Sequence, residues 1–206
     1  CDISKKPSLR KRWADLINLL SFRFYWDIKY LNLFHYSILH MRLNTLWNSS
    51  SFNNAVIVYL YILMHTGIDF KMLLYLSKWS KKGLPRLCEA NGRYYILMPQ
   101  FIKSPSIKAK QCLPTSDRIW VPLPELINAL MTSLQGQGGE YVFSYKGENG
   151  EVSRLGLADV ISFLDEKVND VYHRYGIKIT LAKICMSFFP IYQHHFGLDP
   201  LICILI

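Results

Sequence analysis

The sequence predicts an α+β domain that is mainly helical and carries a small three-stranded antiparallel sheet in its middle. Apolar residues recur at helical spacing before residue 78 and again after residue 123. Between these regions, at 86–123, runs that alternate polar with apolar residues are separated by turn signals such as Asn91-Gly92. The order of helices, sheet and helices is typical of the α+β class.

The first part of the chain is predicted to hold helices separated by a polar break. Residues 8–47 carry leucines and aromatic residues at helical spacing with basic residues between them, which indicates two helices with a basic outer face. The Ser and Asn residues of 48–54 can cap the next helix, an apolar run that Gly67 ends. A further short helix is expected at 69–77.

The later part is predicted to start with the sheet and to end in helices. The second hairpin of the sheet is expected to turn at the sequence PTSD, 114–117. One helix follows Pro124, and another spans 153–175 before a stop at Gly176. Two more helical pieces, at about 180–189 and 198–206, are expected to close the chain.

Charge and cysteine content narrow the class of protein. The 206 residues include 24 Lys and Arg against 15 Asp and Glu, a formal charge of +9 that favours a polyanionic partner such as nucleic acid. Five cysteines without C-x-x-C spacing indicate neither a disulfide framework nor a zinc site, so no metal and no cofactor are predicted. The longest apolar runs are shorter than the roughly 20 residues of a membrane span. A cytoplasmic protein without a membrane partner is expected.

Four segments of the sequence, in order, are similar to motifs that occur together in one known family. The sequence HTGIDFKMLLYL (65–76) is similar to the box T-G-x-R-x-x-E, and RIWVPLPELINALM (118–131) to the third strand of the small sheet with its following helix. The segment 141–164 is similar to the strand, turn and helix that come next. The segment 175–206 is similar to the last box, which contains T-P-H-x-L-R-H-T-F. Together the four segments resemble the catalytic domain of the tyrosine recombinase, or phage integrase, family.

The resemblance implies an active site whose main residues are replaced here. In that family a tyrosine attacks a DNA phosphodiester, while two arginines, histidines and a lysine stabilise the phosphate charge. The first arginine position holds Asp69, the first histidine position Ala182 and the second arginine position Cys185. A shift of the last box by one residue would bring Lys183 near an arginine position. No catalytic residue is assigned, and DNA strand cleavage and rejoining are not expected.

Further expectations concern the role of Asp69, the hairpin lysine and the bounds of the domain. Asp69 is interpreted either as a helix cap or as the partner of a lysine such as Lys183. The hairpin lysine of the family is not evident, because the expected hairpin tip reads PTSD. The tyrosine position would fall beyond residue 206, so the integrase-like domain at 51–206 is expected to lack its C-terminal end. Residues 1–50 are predicted to form a helical N-terminal segment, either a linker or an extension of the domain.

Basic residues on or beside the predicted hairpins are the candidates for contacts with DNA phosphates. A run of lysines that only faces solvent is the alternative for the stretch KWSKK, 78–82. The complete set of predicted DNA-binding residues is Lys78, Lys81, Lys82, Lys103, Lys108, Lys110, Arg118 and Lys183.

The sequence thus predicts a catalytically inactive, recombinase-like protein that binds double-stranded DNA. Its expected role is that of an accessory or regulatory subunit in recombination or integration of a mobile element, associated with the nucleoid. An active recombinase or a second copy of the chain would bind through the C-terminal segment. The alternative is a protein–protein interaction scaffold that keeps the recombinase fold and has lost DNA binding, and salt-dependent DNA affinity separates the two.

Overall fold

A computed structural model describes residues 31–81, 83–103, 112–123, 125–134, 137–172 and 178–195. A π-helical turn spans Leu164–Val168. The elements in chain order are α1 (Leu33–Leu46), α2 (Ser51–Thr66), α3 (Phe70–Leu73), β1 (Arg86–Ala90), β2 (Arg93–Lys103), β3 (Cys112–Pro122), α4 (Glu125–Thr132), β4 (Ser144–Lys146), β5 (Val152–Arg154), α5 (Leu157–Phe163), α6 (Asn169–Tyr172) and α7 (Leu181–His195).

Helix α2 forms the centre of the hydrophobic core. Every residue from Ala55 to Met64 is buried, as expected for a helix that is apolar on nearly every side. Elements α1, α4, α7 and β4 contact it from different directions. Ser50 caps its first turn, since Ser50 Oγ accepts a hydrogen bond from the Asn53 amide at 3.3 Å. The polar break predicted at 48–54 is therefore a helix start.

The predicted three-stranded antiparallel sheet is confirmed, with the strand order β1-β2-β3. Asn91 and Gly92 both have positive φ angles, 53° and 71°, and they connect β1 to β2 as their sequence predicts. The described helices and strands together confirm the predicted α+β, mainly helical class.

The turn predicted at 114–117 is wrong. These residues lie inside β3, because the pairing of β2 with β3 continues as far as Lys103 opposite Cys112. The pairing is irregular between Pro99 and Phe101, where β3 contains more residues than β2. The sequence PTSD therefore forms part of a distorted strand, and the connection between β2 and β3 is 104–111, outside the described residues.

The helix predicted at 69–77 is also wrong in extent, because α3 contains only Phe70–Leu73. Ser77 instead forms isolated bridges with Arg86 and Tyr141. Its amide donates to the Pro85 carbonyl at 2.9 Å, and its carbonyl accepts from the Leu87 amide at 2.9 Å. These backbone bonds attach the loop to β1 and stop the helix.

The C-terminal helices agree in type with the prediction and differ in length. Helices α5 and α6 with their π-helical turn cover 157–172, and α7 continues to His195, past Pro190. The expected helices before residue 31 and after residue 197, and the stop at Gly176, lie outside the described residues.

Helix α1 contributes the buried Leu39 and Leu43 to the same core as α2, and the domain boundary at residue 50 stays a prediction. None of the described helices is long and apolar enough to cross a membrane.

The turn at Gly67 joins the end of α2 to α7. Gly67 adopts the left-handed conformation with φ 60°, and its amide donates to the Leu63 carbonyl at 3.1 Å. A Cβ atom at this position would lie 2.7 Å from Cδ1 of Phe188, a side chain of α7. Glycine is thus required twice, by the backbone angle and by the contact with α7.

The substitution Gly67→Ala is expected to lower the free energy of unfolding by about 2–5 kcal/mol, because it adds both left-handed strain and overlap with Phe188. Gly83→Ala is the matched control, since Gly83 has φ 75° but open space around its Cβ position. The control should lose only about 1–2 kcal/mol. Urea unfolding followed by circular dichroism measures both, and equal losses would contradict the role of the Phe188 contact.

Candidate functional site

Residues of the first and the last of the four family-like segments contact each other in the structure. Phe188 of α7 lies against Gly67, and Cys185, one turn earlier, donates its Sγ hydrogen to the carbonyls of Gly67 at 3.1 Å and Ile68 at 3.4 Å. The negative charge of Asp69 also acts on Cys185. The structure therefore brings together the two positions at which the resemblance implies arginines.

Asp69 caps the short helix α3. Its Oδ1 atom accepts hydrogen bonds from the amides of Lys71 at 3.0 Å and Met72 at 2.9 Å. The first of the two interpretations of Asp69, a helix cap, thus agrees with the structure. The second is wrong: none of the ion pairs among the described residues joins Asp69 to Lys183, whose ammonium group donates to the Lys178 carbonyl at 3.1 Å.

The groups around Cys185 disfavour negative charge. Burial, and after it the carboxylate of Asp69, raises the pKa of the Cys185 thiol. Burial followed by the same carboxylate and by Cys185 raises the pKa of Tyr59, whose hydroxyl donates to the Phe70 carbonyl at 2.7 Å. A site that stabilises a phosphate anion would lower the pKa of neighbouring acids. Burial and the Asp69 carboxylate therefore both favour the neutral forms of Cys185 and Tyr59.

A cavity of about 370 Å³ opens beside α3 and the start of α7. Apolar side chains of α3, α5 and α7 form most of its wall, and Ala182, at the position of the family's first histidine, lies among them. Lys178 and Asp165 at this cavity form an ion pair with a nitrogen–oxygen distance of 3.2 Å. The hydrogen bond from Asn169, and after it that from Lys178, lowers the pKa of Asp165. The cavity thus has a mainly apolar wall, and the charges of Lys178 and Asp165 are already paired with each other.

The first two predicted DNA-binding residues lie on the loop between α3 and β1. Lys78 Nζ donates to the Gly138 carbonyl at 2.9 Å, and burial lowers the pKa of this lysine. Lys81 forms an ion pair with Glu140, and the hydrogen bond between them raises the pKa of Lys81. Both lysines therefore already contact oxygen acceptors of the chain itself.

The remaining predicted DNA-binding residues are distributed over other elements. Lys103 and Arg118 lie on β2 and β3, opposite Cys112 and Pro99, and their side chains are outside what the structure describes. Lys183 belongs to α7. Lys82, Lys108 and Lys110 lie outside the described residues.

A cluster of aromatic and cationic side chains that the sequence did not reveal lies beside the lysine loop. The guanidinium carbon of Arg154 is 4.6 Å from the ring centre of Tyr75 and 5.0 Å from that of Tyr141. The two tyrosine rings contact each other edge to face, with their centres 6.2 Å apart. These three residues are distant in sequence, so no local pattern could indicate their contact.

Comparison with solved structures shows the fold of the chain. It is similar to XerH site-specific recombinase bound to difH substrate in a pre-cleavage complex, with a TM-score of 0.52 and 17% identity over 85% of this chain and 45% of that chain. The same recombinase in a post-cleavage complex with palindromic difH gives a TM-score of 0.49 and 17% identity, over 82% of this chain and 43% of that chain. This chain spans less than half the length of those recombinase chains.

No protein-family model matches the sequence. No curated protein matches it either. The structural likeness confirms the predicted fold, which is that of a tyrosine recombinase catalytic domain.

Replacing Asp69 by Asn is expected to lower the pKa of Cys185, because the nearby negative charge is lost while Asn keeps the helix cap. Alkylation of Cys185 should then begin at lower pH. The measurement is the iodoacetamide rate across a pH series, read for each cysteine peptide by mass spectrometry, with Cys88 of β1 as the internal control. An unchanged pH profile of Cys185 in the variant would contradict this electrostatic contact.

Proposed function

We propose that this chain is a catalytically inactive, tyrosine-recombinase-like domain that binds double-stranded DNA without cleaving it. The observation that carries the proposal is the presence of Asp69 and Cys185 where α7 crosses the turn after α2. Two guanidinium groups would grip phosphate oxygens there, whereas a carboxylate repels them and a neutral thiol supplies no charge. Ala182 in place of a histidine removes a further phosphate contact.

Several features support DNA binding. The chain carries a net charge of +9, and the recombinase that shares its fold is bound to its difH substrate. The connection between β2 and β3 is 104–111, so the family's hairpin lysine would correspond to Lys108 or Lys110. With Lys103 and Arg118 on the adjoining strands, the β2–β3 hairpin would contact the DNA backbone.

The role that fits such a domain is that of an accessory or regulatory subunit. A domain that holds DNA without cutting it affects recombination through the assembly of the complex, beside an active recombinase or a second copy of the chain. Residues after 195 would supply the contact with that partner. A mobile element that integrates into DNA, with the protein bound to the nucleoid in the cytoplasm, is the proposed setting.

A protein–protein interaction scaffold without DNA binding is the second candidate. The ammonium groups of Lys78, Lys81 and Lys183 all contact acceptors within the chain, which reduces their availability to phosphates. Exposed apolar side chains such as Phe34 and Met41 on α1 offer area for a protein partner. DNA affinity and its salt dependence separate this candidate from the first.

Binding of the chain to a labelled duplex is expected with a Kd in the micromolar range or below at low salt, and log affinity should fall linearly with log salt. The double variant Lys78→Ala, Lys81→Ala should reduce the slope by about 2, because each phosphate contact contributes about 0.9. Lys167→Ala, which removes an exposed lysine from the π-helical turn, is the control and should leave the slope unchanged.

A denaturing gel of the same samples tests inactivity. No covalent protein–DNA adduct and no nicked strand are expected. Absence of binding at low salt would overturn the DNA-binding proposal in favour of the scaffold, and an adduct would overturn the proposal of inactivity.

A further inference from the structure

We propose that Trp79 is a stacking surface for an unpaired nucleotide, so that the loop 77–81 recognises gapped or otherwise opened DNA in preference to an intact duplex. This inference rests on the proposed DNA-binding function and deepens it. It names the structural form of DNA that this surface of the domain selects.

The side chain of Trp79 is available to a partner. It is 66% exposed, the highest fraction for any large apolar residue among those that the structure describes. A single exposed apolar residue is ordinary on a protein surface. Trp79 differs from such a residue in two ways: hydrogen bonds hold the backbone of its loop, and cationic residues lie on the same loop.

The loop that carries Trp79 is held on both sides. Ser77 Oγ donates to the Trp79 carbonyl at 2.6 Å, and the Ser77 backbone bonds to Pro85 and Leu87 on the β1 side. On the other side, the Lys78 amide donates to the Glu140 carbonyl at 3.0 Å. An exposed ring on a loop that is already ordered loses little conformational freedom on binding.

The charges around the ring favour a polyanion. Lys78 and Lys81 lie on the same loop as Trp79, and Lys81 Nζ is 5.9 Å from the ring centre of Tyr141, which Arg154 also contacts. Lys81 forms an ion pair with Glu140. Arg154 is fixed between the rings of Tyr75 and Tyr141, so its position is set by cation–π contacts before any ligand binds. Because Lys78 and Lys81 lie one and two positions from Trp79 along the chain, phosphates that flank a nucleotide stacked on Trp79 would be near cations.

Stacking explains the preference for opened DNA. Indole rings stack on the face of any base, so the contact tolerates sequence variation. The faces of bases inside an intact duplex are covered by their neighbours, whereas a base at a gap or in a single strand exposes its faces. Trp79 can therefore add affinity only where a base is unpaired, and the lysines act on both kinds of DNA.

The test measures binding of the full chain to three labelled DNAs: an intact duplex, the same duplex with a short single-stranded gap, and the single strand. Trp79→Ala is expected to weaken binding to the gapped and single-stranded DNA about tenfold, with less than about a twofold change on the duplex. Trp79→Phe keeps an aromatic face and should retain most of the affinity. Phe34→Ala removes another exposed aromatic ring, on α1, and should leave all three affinities unchanged.

Thermal unfolding of each variant confirms that the fold is intact. Equal weakening by Trp79→Ala on all three DNAs, or no weakening on any, would overturn this inference and leave the DNA-binding proposal standing. If the unaltered chain binds none of the three DNAs, the proposed function fails and this inference fails with it.

Discussion

The contact between the left-handed turn at Gly67 and Phe188 is the constraint on which the site depends. Because Gly67 has no Cβ atom, α7 approaches closely enough for Cys185 to donate to the carbonyls of the turn. The same turn starts α3 two residues later, where Asp69 caps its amides. This one backbone conformation sets the relative positions of α2, α3 and α7. It therefore also sets the positions of Asp69 and Cys185, at which the family resemblance implies arginines.

The residues at those positions form hydrogen bonds with the backbone of the chain. The carboxylate of Asp69 bonds to the amides of α3, and the thiol of Cys185 bonds to the carbonyls after α2. Burial, and after it the charge of Asp69, raises the pKa of Cys185 and of Tyr59. Positive charge also lies on the loop 77–81 and at Arg154, beside the aromatic ring of Tyr141. This distribution supports the proposed DNA recognition without phosphoryl transfer.

Local chemistry determines how much of this arrangement the sequence could reveal. Gly67, Ser50 and the Asn91-Gly92 turn were predictable, because positive φ angles and helix caps require particular residue types. The turn predicted from the sequence PTSD was wrong, because the pairing of β2 with β3 continues past these turn-forming residues. The stacking of Arg154 on Tyr75 and Tyr141 joins residues that only the fold brings together. The meeting of Asp69 with Cys185 could be inferred solely through a family resemblance.

The duplex affinity of an Asp69→Asn variant tests the central claim most directly, because Asp69 is exposed where DNA phosphate would approach a recombinase-like site. Asn keeps the helix cap, and Asp170→Asn on α6 makes the same change of net charge elsewhere. Asp69→Asn is expected to tighten duplex binding at low salt about fivefold, because it removes about 1 kcal/mol of repulsion, and to do so more than Asp170→Asn. Equal affinities of the two variants would contradict this expectation.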